Sequence, residues 1–211
     1  MKILLAGATG LVGSHVLAQL LAAPECSAVV APTRRALDIV QAKLDNPLVD
    51  FEQLPAQAPW WQADAAICAL GTTMKQAGSR EAFRRVDHAY PLAIARLARQ
   101  HGANAFALNS ALGADPGSRV FYNRVKGELE RDLQAIGYPS LALVRPGLIG
   151  GERAQPRAAE RAAAAVLGLL GPLLPRRYRI NPAERIAAAL VEHALHPRAG
   201  VQVVDAAQLA E

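Results

Sequence analysis

Residues 2–13 read Lys2-Ile3-Leu4-Leu5-Ala6-Gly7-Ala8-Thr9-Gly10-Leu11-Val12-Gly13, and this stretch decides the fold. The run from Lys2 to Ala6 suits a strand covered on both faces, and Leu11 to Leu21 continues at helical spacing. Three glycines, Gly7, Gly10 and Gly13, each three residues after the last, span the junction from the strand into the first turn of the helix. Glycine lets the chain turn sharply and approach a pyrophosphate, while the helix N-terminus turns free N–H groups and the positive end of its dipole toward that anion. A Gly-x-x-Gly-x-x-Gly turn between a strand and a helix is the setting in which a dinucleotide is bound.

Working outward, short apolar runs recur at Ala28 to Ala31, around Val49 to Phe51, and at Ala65 to Leu70, Ala105 to Asn109, Leu141 to Val144 and Val201 to Val204. Helices are expected near Leu11 to Leu21, Arg80 to Gln100, Val120 to Ile136 and Pro182 to Ala194. The last has a start signal in Asn181 as N-cap, Pro182 at the first helical position and Glu184 after it. The alternation predicts an α/β Rossmann fold, a doubly wound parallel sheet. Residues 1–211 form one domain, with 1–150 as its dinucleotide-binding core. Residues 151–211, rich in Arg, Pro and Gly, follow as a small C-terminal substrate-side segment.

The end of the second strand reads Thr33-Arg34-Arg35, where an NAD-binding chain would carry an acid for the ribose hydroxyl. Two guanidiniums suit a 2′-phosphate, which they can hold by bidentate, charge-assisted bonds. NADP(H) is therefore preferred over NAD(H).

Ser110 follows the fifth strand, and Tyr122 and Lys126 lie four apart on the next helix, one turn from each other on one face. A phenol with a pKa of about 10 exchanges protons poorly near neutrality unless a cation stabilises its phenolate, and Lys126 is placed to do so. Ser110 can hold the oxygen of a carbonyl or alcohol. Ser110, Tyr122 and Lys126 are the candidate catalytic set.

These pieces resemble the short-chain dehydrogenases/reductases, in their extended and atypical branch. More narrowly they resemble the group of the human Tat-interacting tumour-suppressor oxidoreductase. The matching segments are GATGLVG from Gly7, CALGTT from Cys68, RVDHAY from Arg85, NSALGAD from Asn109, YNRVKGELE from Tyr122 and VRPGLIG from Val144. The resemblance implies that Gly7, Thr9, Gly10, Leu11, Val12 and Gly13 line the pyrophosphate and that Arg34 and Arg35 meet the 2′-phosphate. It further implies that Leu70, Gly71 and Thr72 frame the riboses, that Tyr122 and Lys126 join them at the cofactor, and that Pro146 and Leu148 lie beside the nicotinamide. Ala111 departs from the group, which has a second serine there. For the family's supporting asparagine, Asn109 and Asn123 are the nearest residues.

Composition narrows the class. With 52% hydrophobic and 19% charged residues the chain can bury a full core. Its net charge of +5 falls between Arg145 and Arg185, where eight arginines face three glutamates. That excess suits an anionic small-molecule substrate or peripheral contact with an acidic surface, and no recognition helix points to nucleic acid. The apolar start is too short for a signal peptide, and Ala162 to Leu174 is too short to span a membrane, so a cytoplasmic protein is expected. Trp60, Trp61 and Cys68 read as core residues, Cys26 and Cys68 are too few for a disulfide framework, and His193 and His196 lack the partners of a metal site. The expected function is carbonyl/alcohol interconversion by an NADP(H)-dependent oxidoreductase. The alternatives are a non-catalytic NADPH-binding regulatory protein and a nucleotide-sugar epimerase.

Overall fold

A computed structural model of the chain describes residues 1–150 and 175–210. Seven parallel strands form one sheet in the order β3-β2-β1-β4-β5-β6-β9. They are β1 (Lys2–Ala6), β2 (Ala28–Val30), β3 (Leu44–Asp45), β4 (Ala65–Cys68), β5 (Ala105–Asn109), β6 (Ser140–Arg145) and β9 (Gly200–Asp205). A separate two-stranded ladder pairs β7 (Ile149–Gly150) with β8 (Asn181–Pro182).

The central strands are apolar at almost every position because both of their faces are covered. Side chains alternate across a strand, so Ile3 and Leu5 join the core under α1 (Leu11–Ala22), while Leu4 and Ala6 join the one under α4 (Tyr90–Gln100) and α5 (Phe121–Gln134). Helix α6 (Ala183–Leu195) packs beside α1, with Gln19 Nε2 donating to the Glu184 carbonyl at 3.1 Å. The C-terminal segment thus returns to complete one face, and β9 extends the sheet beyond β6.

Three expectations are corrected. The third strand lies at Leu44–Asp45 rather than around Val49 to Phe51. Pro47 has no N–H for a ladder, Leu48 keeps a single bridge to Thr33, and Phe51 is buried against Tyr90 instead. The helix expected from Arg80 to Gln100 is interrupted: after the short α2 (Met74–Ala77), α3 (Arg80–Arg84) passes through one π-helical turn, Arg85–Ala89, into α4. Pro91 has no N–H to give the carbonyl of Asp87 four residues back, and the helix widens there. Finally, α6 starts at Ala183 with Pro182 as its N-cap, because the Asn181 side chain is bonded elsewhere.

Trp61 is fully buried, with Nε1 donating to the Pro55 carbonyl at 2.8 Å, and Trp60 stacks on it. Cys26 and Cys68 are buried free thiols. Ala162 to Leu174 and Arg153, Arg157 and Arg161 lie outside the described residues. Among the described residues no helix is long and apolar enough to cross a membrane, and no group of three or more His, Cys, Asp or Glu comes together.

Candidate active site

The carboxyl ends of β1, β4, β5 and β6 open onto one edge of the sheet, where ligands bind in folds of this kind. At β1 the glycine turn is set by steric necessity. Gly7 has φ +93°, and a Cβ there would stand 2.6 Å from the Ala69 carbonyl carbon and 2.7 Å from the Leu70 nitrogen. A Cβ on Gly13 would stand 1.9 Å from the Gly7 carbonyl oxygen. Gly10 N–H closes the turn onto that oxygen at 3.0 Å, and the first bond of α1 runs from Ser14 N–H to the Gly10 carbonyl at 2.9 Å. No side chain caps α1 and no acid stands in its first turn, so the preceding amides are available to an anion. Thr9 and Gly10 are exposed and Leu11 is half-buried. Val12 and Gly13 are buried, so they can face a ligand only through their backbone. This uncapped, close-walled cradle fits a pyrophosphate.

Arg34 and Arg35 are exposed just past β2, and among the described residues neither forms an ion pair. Their loop is fixed from beneath. Thr33 Oγ1 donates to the Arg35 carbonyl at 2.6 Å, and Asn46 Nδ2 donates to Thr33 Oγ1 and to the Ala31 carbonyl at 2.8 and 2.6 Å.

Beyond β4, Leu70, Gly71 and Thr72 make a turn whose Thr72 N–H donates to Asp87 Oδ2 at 2.8 Å. Asp87 comes from the π-helical turn and is 1% exposed. Its Oδ1 lies 2.9 Å from Lys126 Nζ, and Lys126 is 3% exposed. Burial pushes the Lys126 ammonium down, but the charge of Asp87, the nearby Tyr122 and the Asp87 hydrogen bond outweigh it, and Lys126 holds its proton above the usual lysine range. Tyr122, one turn earlier on α5, is 36% exposed and stacks against Phe83 at 5.6 Å between centroids. Gly127 lets the Asp115-Pro116 backbone lie on α5 next to Lys126, since a Cβ there would come within 2.2 Å of the Asp115 carbonyl carbon. Cys68 also senses Lys126, but burial dominates and pushes its thiol up to about 11, which leaves it an inert core group.

Tyr122 and Lys126 are thus together on α5 as expected, whereas the Ser110 hydroxyl is engaged elsewhere. Ser110 is 4% exposed, and its Oγ donates to Glu130 Oε1 at 2.5 Å. Glu130, itself buried, also accepts from Arg145 Nε at 3.0 Å and from Arg145 Nη2. Ser110 continues the alternation of Phe106 and Leu108 toward α5, and it meets that helix eight residues, or about 12 Å of rise, beyond Tyr122. Asn109 is half-buried with Oδ1 unpaired, and the Nδ2 of Asn123 packs against Gly113.

Pro146 is buried and Leu148 is 52% exposed in the loop after β6. That loop is clasped by Asn181, which is fully buried. Its Oδ1 accepts from Gly147 N–H at 2.7 Å, its Nδ2 donates to the Ala206 carbonyl at 2.8 Å, and its N–H donates to the Leu148 carbonyl at 2.8 Å. Of the arginine excess, Arg145 is held by Glu130 and Arg185 donates to the Ala210 carbonyl, while Arg177 stacks on Tyr178.

The sequence reading gave no role to Asn46, Asp87 or Glu130, and it gave Asn181 a different one, as a helix N-cap. A signal existed for two of them. Asp87 stands four residues after the buried Phe83, and Glu130 four after Lys126, so each is an acid on an inward helix face that must find a partner.

No family model matches the chain. It is 35% identical over 179 residues to the mitochondrial protein fmp52 of Aspergillus fumigatus, a match covering 81% of this chain and 76% of that one. It is 33% identical over 203 residues to HTATIP2 of Rattus norvegicus, covering 94% and 83% of the two chains. Among solved structures it resembles MoeE5 in complex with UDP-glucose and NAD, with a TM-score of 0.73 and 16% identity over 96% of this chain and 75% of that one. It also resembles the PhqB reductase domain from Penicillium fellutanum, with a TM-score of 0.69 and 19% identity over 96% and 66%. These structural likenesses establish the Rossmann-type fold. The cytoplasmic expectation is overturned by the fungal relatives, which are mitochondrial by name.

Proposed function

The chain belongs to the family of the Fmp52 and HTATIP2 proteins, an atypical group of the short-chain dehydrogenases/reductases, and on that premise we propose that it is an NADP(H)-dependent oxidoreductase interconverting a carbonyl and an alcohol on a small substrate. The observation that carries this reading is the half-exposed Tyr122 one turn from the buried Lys126, beside an uncapped glycine turn. The amides of Leu11, Val12 and Gly13 would hold the pyrophosphate, with Gly7, Thr9 and Gly10 shaping its approach, and Arg34 and Arg35 would take the 2′-phosphate. Leu70, Gly71 and Thr72 would frame the riboses, and Pro146 and Leu148 the nicotinamide. When bound, the nicotinamide supplies or accepts the hydride. Tyr122 then gives its phenolic proton to the carbonyl oxygen in reduction, or takes the hydroxyl proton in oxidation, and the Lys126 ammonium stabilises the phenolate in either direction.

The test is a titration of wild type and of the Arg34→Ala/Arg35→Ala double variant with NADPH and NADH. NADPH should bind wild type the tighter, and the double variant should lose affinity for NADPH selectively. Equal loss for both, or none, removes the 2′-phosphate assignment. Full turnover by Tyr122→Phe on a substrate found in a carbonyl panel would remove the proton-transfer role.

A second reading is a regulatory NADPH-binding protein. It is favoured by one observation, that Ser110 is bonded to Glu130 and is followed by Ala111, which leaves no hydroxyl at that strand end free for a substrate oxygen. Tight NADPH binding with no turnover across the panel would support it over the first.

A further inference from the structure

The Asp87 carboxylate makes two bonds in two directions, both away from water. Oδ1 faces the Lys126 ammonium at 2.9 Å, and Oδ2 accepts the Thr72 amide at 2.8 Å. Both charged side chains are almost wholly enclosed, at 4% and 1% side-chain exposure. An ion pair so placed gives up its hydration, and truncating one partner alone leaves a buried, uncompensated charge. The local backbone is also unusual. Asp87 lies in the π-helical turn Arg85–Ala89, and turns of this kind inside helices recur at functional sites. Gly71 adds a third detail, since a Cβ there would lie 3.5 Å from Asp87 Oδ1, so the carboxylate fills the concavity of the Leu70–Thr72 turn.

Other charges near this turn are directed elsewhere. Arg85 reaches Glu52 at 3.7 Å, His88 Nε2 meets Asp132 at 2.9 Å, and Arg84 pairs with Glu128. The titratable groups facing Lys126 are Asp87 from the π-helical turn, Tyr122 from its own helix and Cys68 from β4, the last kept neutral by burial.

We propose that Asp87 is the positioning residue of this site: one buried carboxylate serves as counter-ion to Lys126 and as acceptor for the Thr72 amide, so that a single side chain fixes both the ammonium beside Tyr122 and the turn that frames the cofactor ribose. The assignment rests on the reading of Tyr122 and Lys126 as the proton-handling pair. It adds that the ammonium and the ribose turn are mechanically one unit, and that a change at either is felt at the other through Asp87.

The chain has four lysines, at positions 2, 43, 75 and 126, so lysine labelled with carbon-13 at Cε yields four signals to follow with pH. Lys126→Met assigns the one that matters. In wild type Lys126 should be the last of the four to lose its proton. In Asp87→Asn it should lose its proton earlier by about one pH unit or more, because the main opposition to burial is then gone. Asp87→Glu, which keeps the charge, should restore the late titration, and the Thr72 amide signal should move in Asp87→Asn. A Lys126 that titrates before the exposed Lys75 in wild type overturns the assignment, as does a folded Asp87→Asn whose Lys126 titration is unchanged. If Asp87→Asn fails to fold, the wild-type titration alone decides. NADPH binding is measured on the same wild-type sample. Its absence would remove the function proposed above without moving the Lys126 signal, and an early-titrating Lys126 with NADPH bound would remove the role of Asp87 alone.

Discussion

At the scale of single residues, Ser110 carries the sharpest revision. Its hydroxyl lies 2.5 Å from a carboxylate that also holds Arg145, so the bond joins β5, α5 and β6. Ser110→Ala should therefore act on stability, costing about 1–3 kcal/mol by removing one of the three donors to a buried carboxylate, measured by denaturant unfolding. Turnover lost by orders of magnitude at unchanged stability would restore Ser110 to the catalytic set. The sequence made Ser110, Tyr122 and Lys126 legible as a group because their order and helical spacing are one-dimensional facts. It could not tell toward which part of α5 the serine points, since that depends on strand parity and on Glu130 twenty residues away. The partners of Asp87 were hidden for the same reason, being 15 and 39 positions distant in sequence. His193 gives a second residue-level expectation. Burial, and then Arg198, hold its ring below the usual histidine range. Below about pH 6.5 the unfolded chain takes up a proton that the folded chain resists, so folding stability falls as pH drops from there toward the lower folded value. His193→Gln should flatten that limb in melts taken between about pH 7 and 5, and an equally steep limb would discount the residue.

Among elements, the glycine turn and α1 were legible nearly to the residue, because sterics there act between neighbours in sequence. The close approach of Gly13 to Gly7 leaves no room for a methyl group. Gly13→Ala should open the turn and abolish detectable NADPH binding by calorimetry. Retained affinity would mean that the amides of α1 are not the anion site. The start of α6 was misread because Asn181 is a good N-cap by type, and only tertiary structure reveals that its side chain is occupied by Gly147 and Ala206. Asn181 holds β8, the Pro146–Leu148 loop and α7 (Ala206–Leu209) together. Asn181→Ala should destabilise the protein by about 2–4 kcal/mol, as loss of a fully bonded buried amide does. It should also weaken cofactor binding more than Ser110→Ala does, because the loop it holds is the one beside the proposed nicotinamide site.

For the molecule as a whole, the alternation of apolar runs and helical stretches was enough to foresee a parallel doubly wound sheet, since strands covered on both faces leave that mark on composition. The third strand escaped because it is two residues long and its burial is shared with a loop. The positive excess was read as one patch, but Arg145 is paired with the buried Glu130 and Arg185 is bonded to the Ala210 carbonyl, a distinction that charge counting cannot make. The packing of α6 on α1, and of β9 beyond β6, ties the two ends of the chain together. The face of α1 that meets α6 stays uncovered during synthesis until residues near 195 have been made. The order of assembly therefore runs against the order of translation. Chains stalled on the ribosome at residue 180 should be cut rapidly by protease within the first helix, and those extended past residue 205 should resist, since a fold that closes through its most distant contacts forms late and exposes its hydrophobic surface meanwhile.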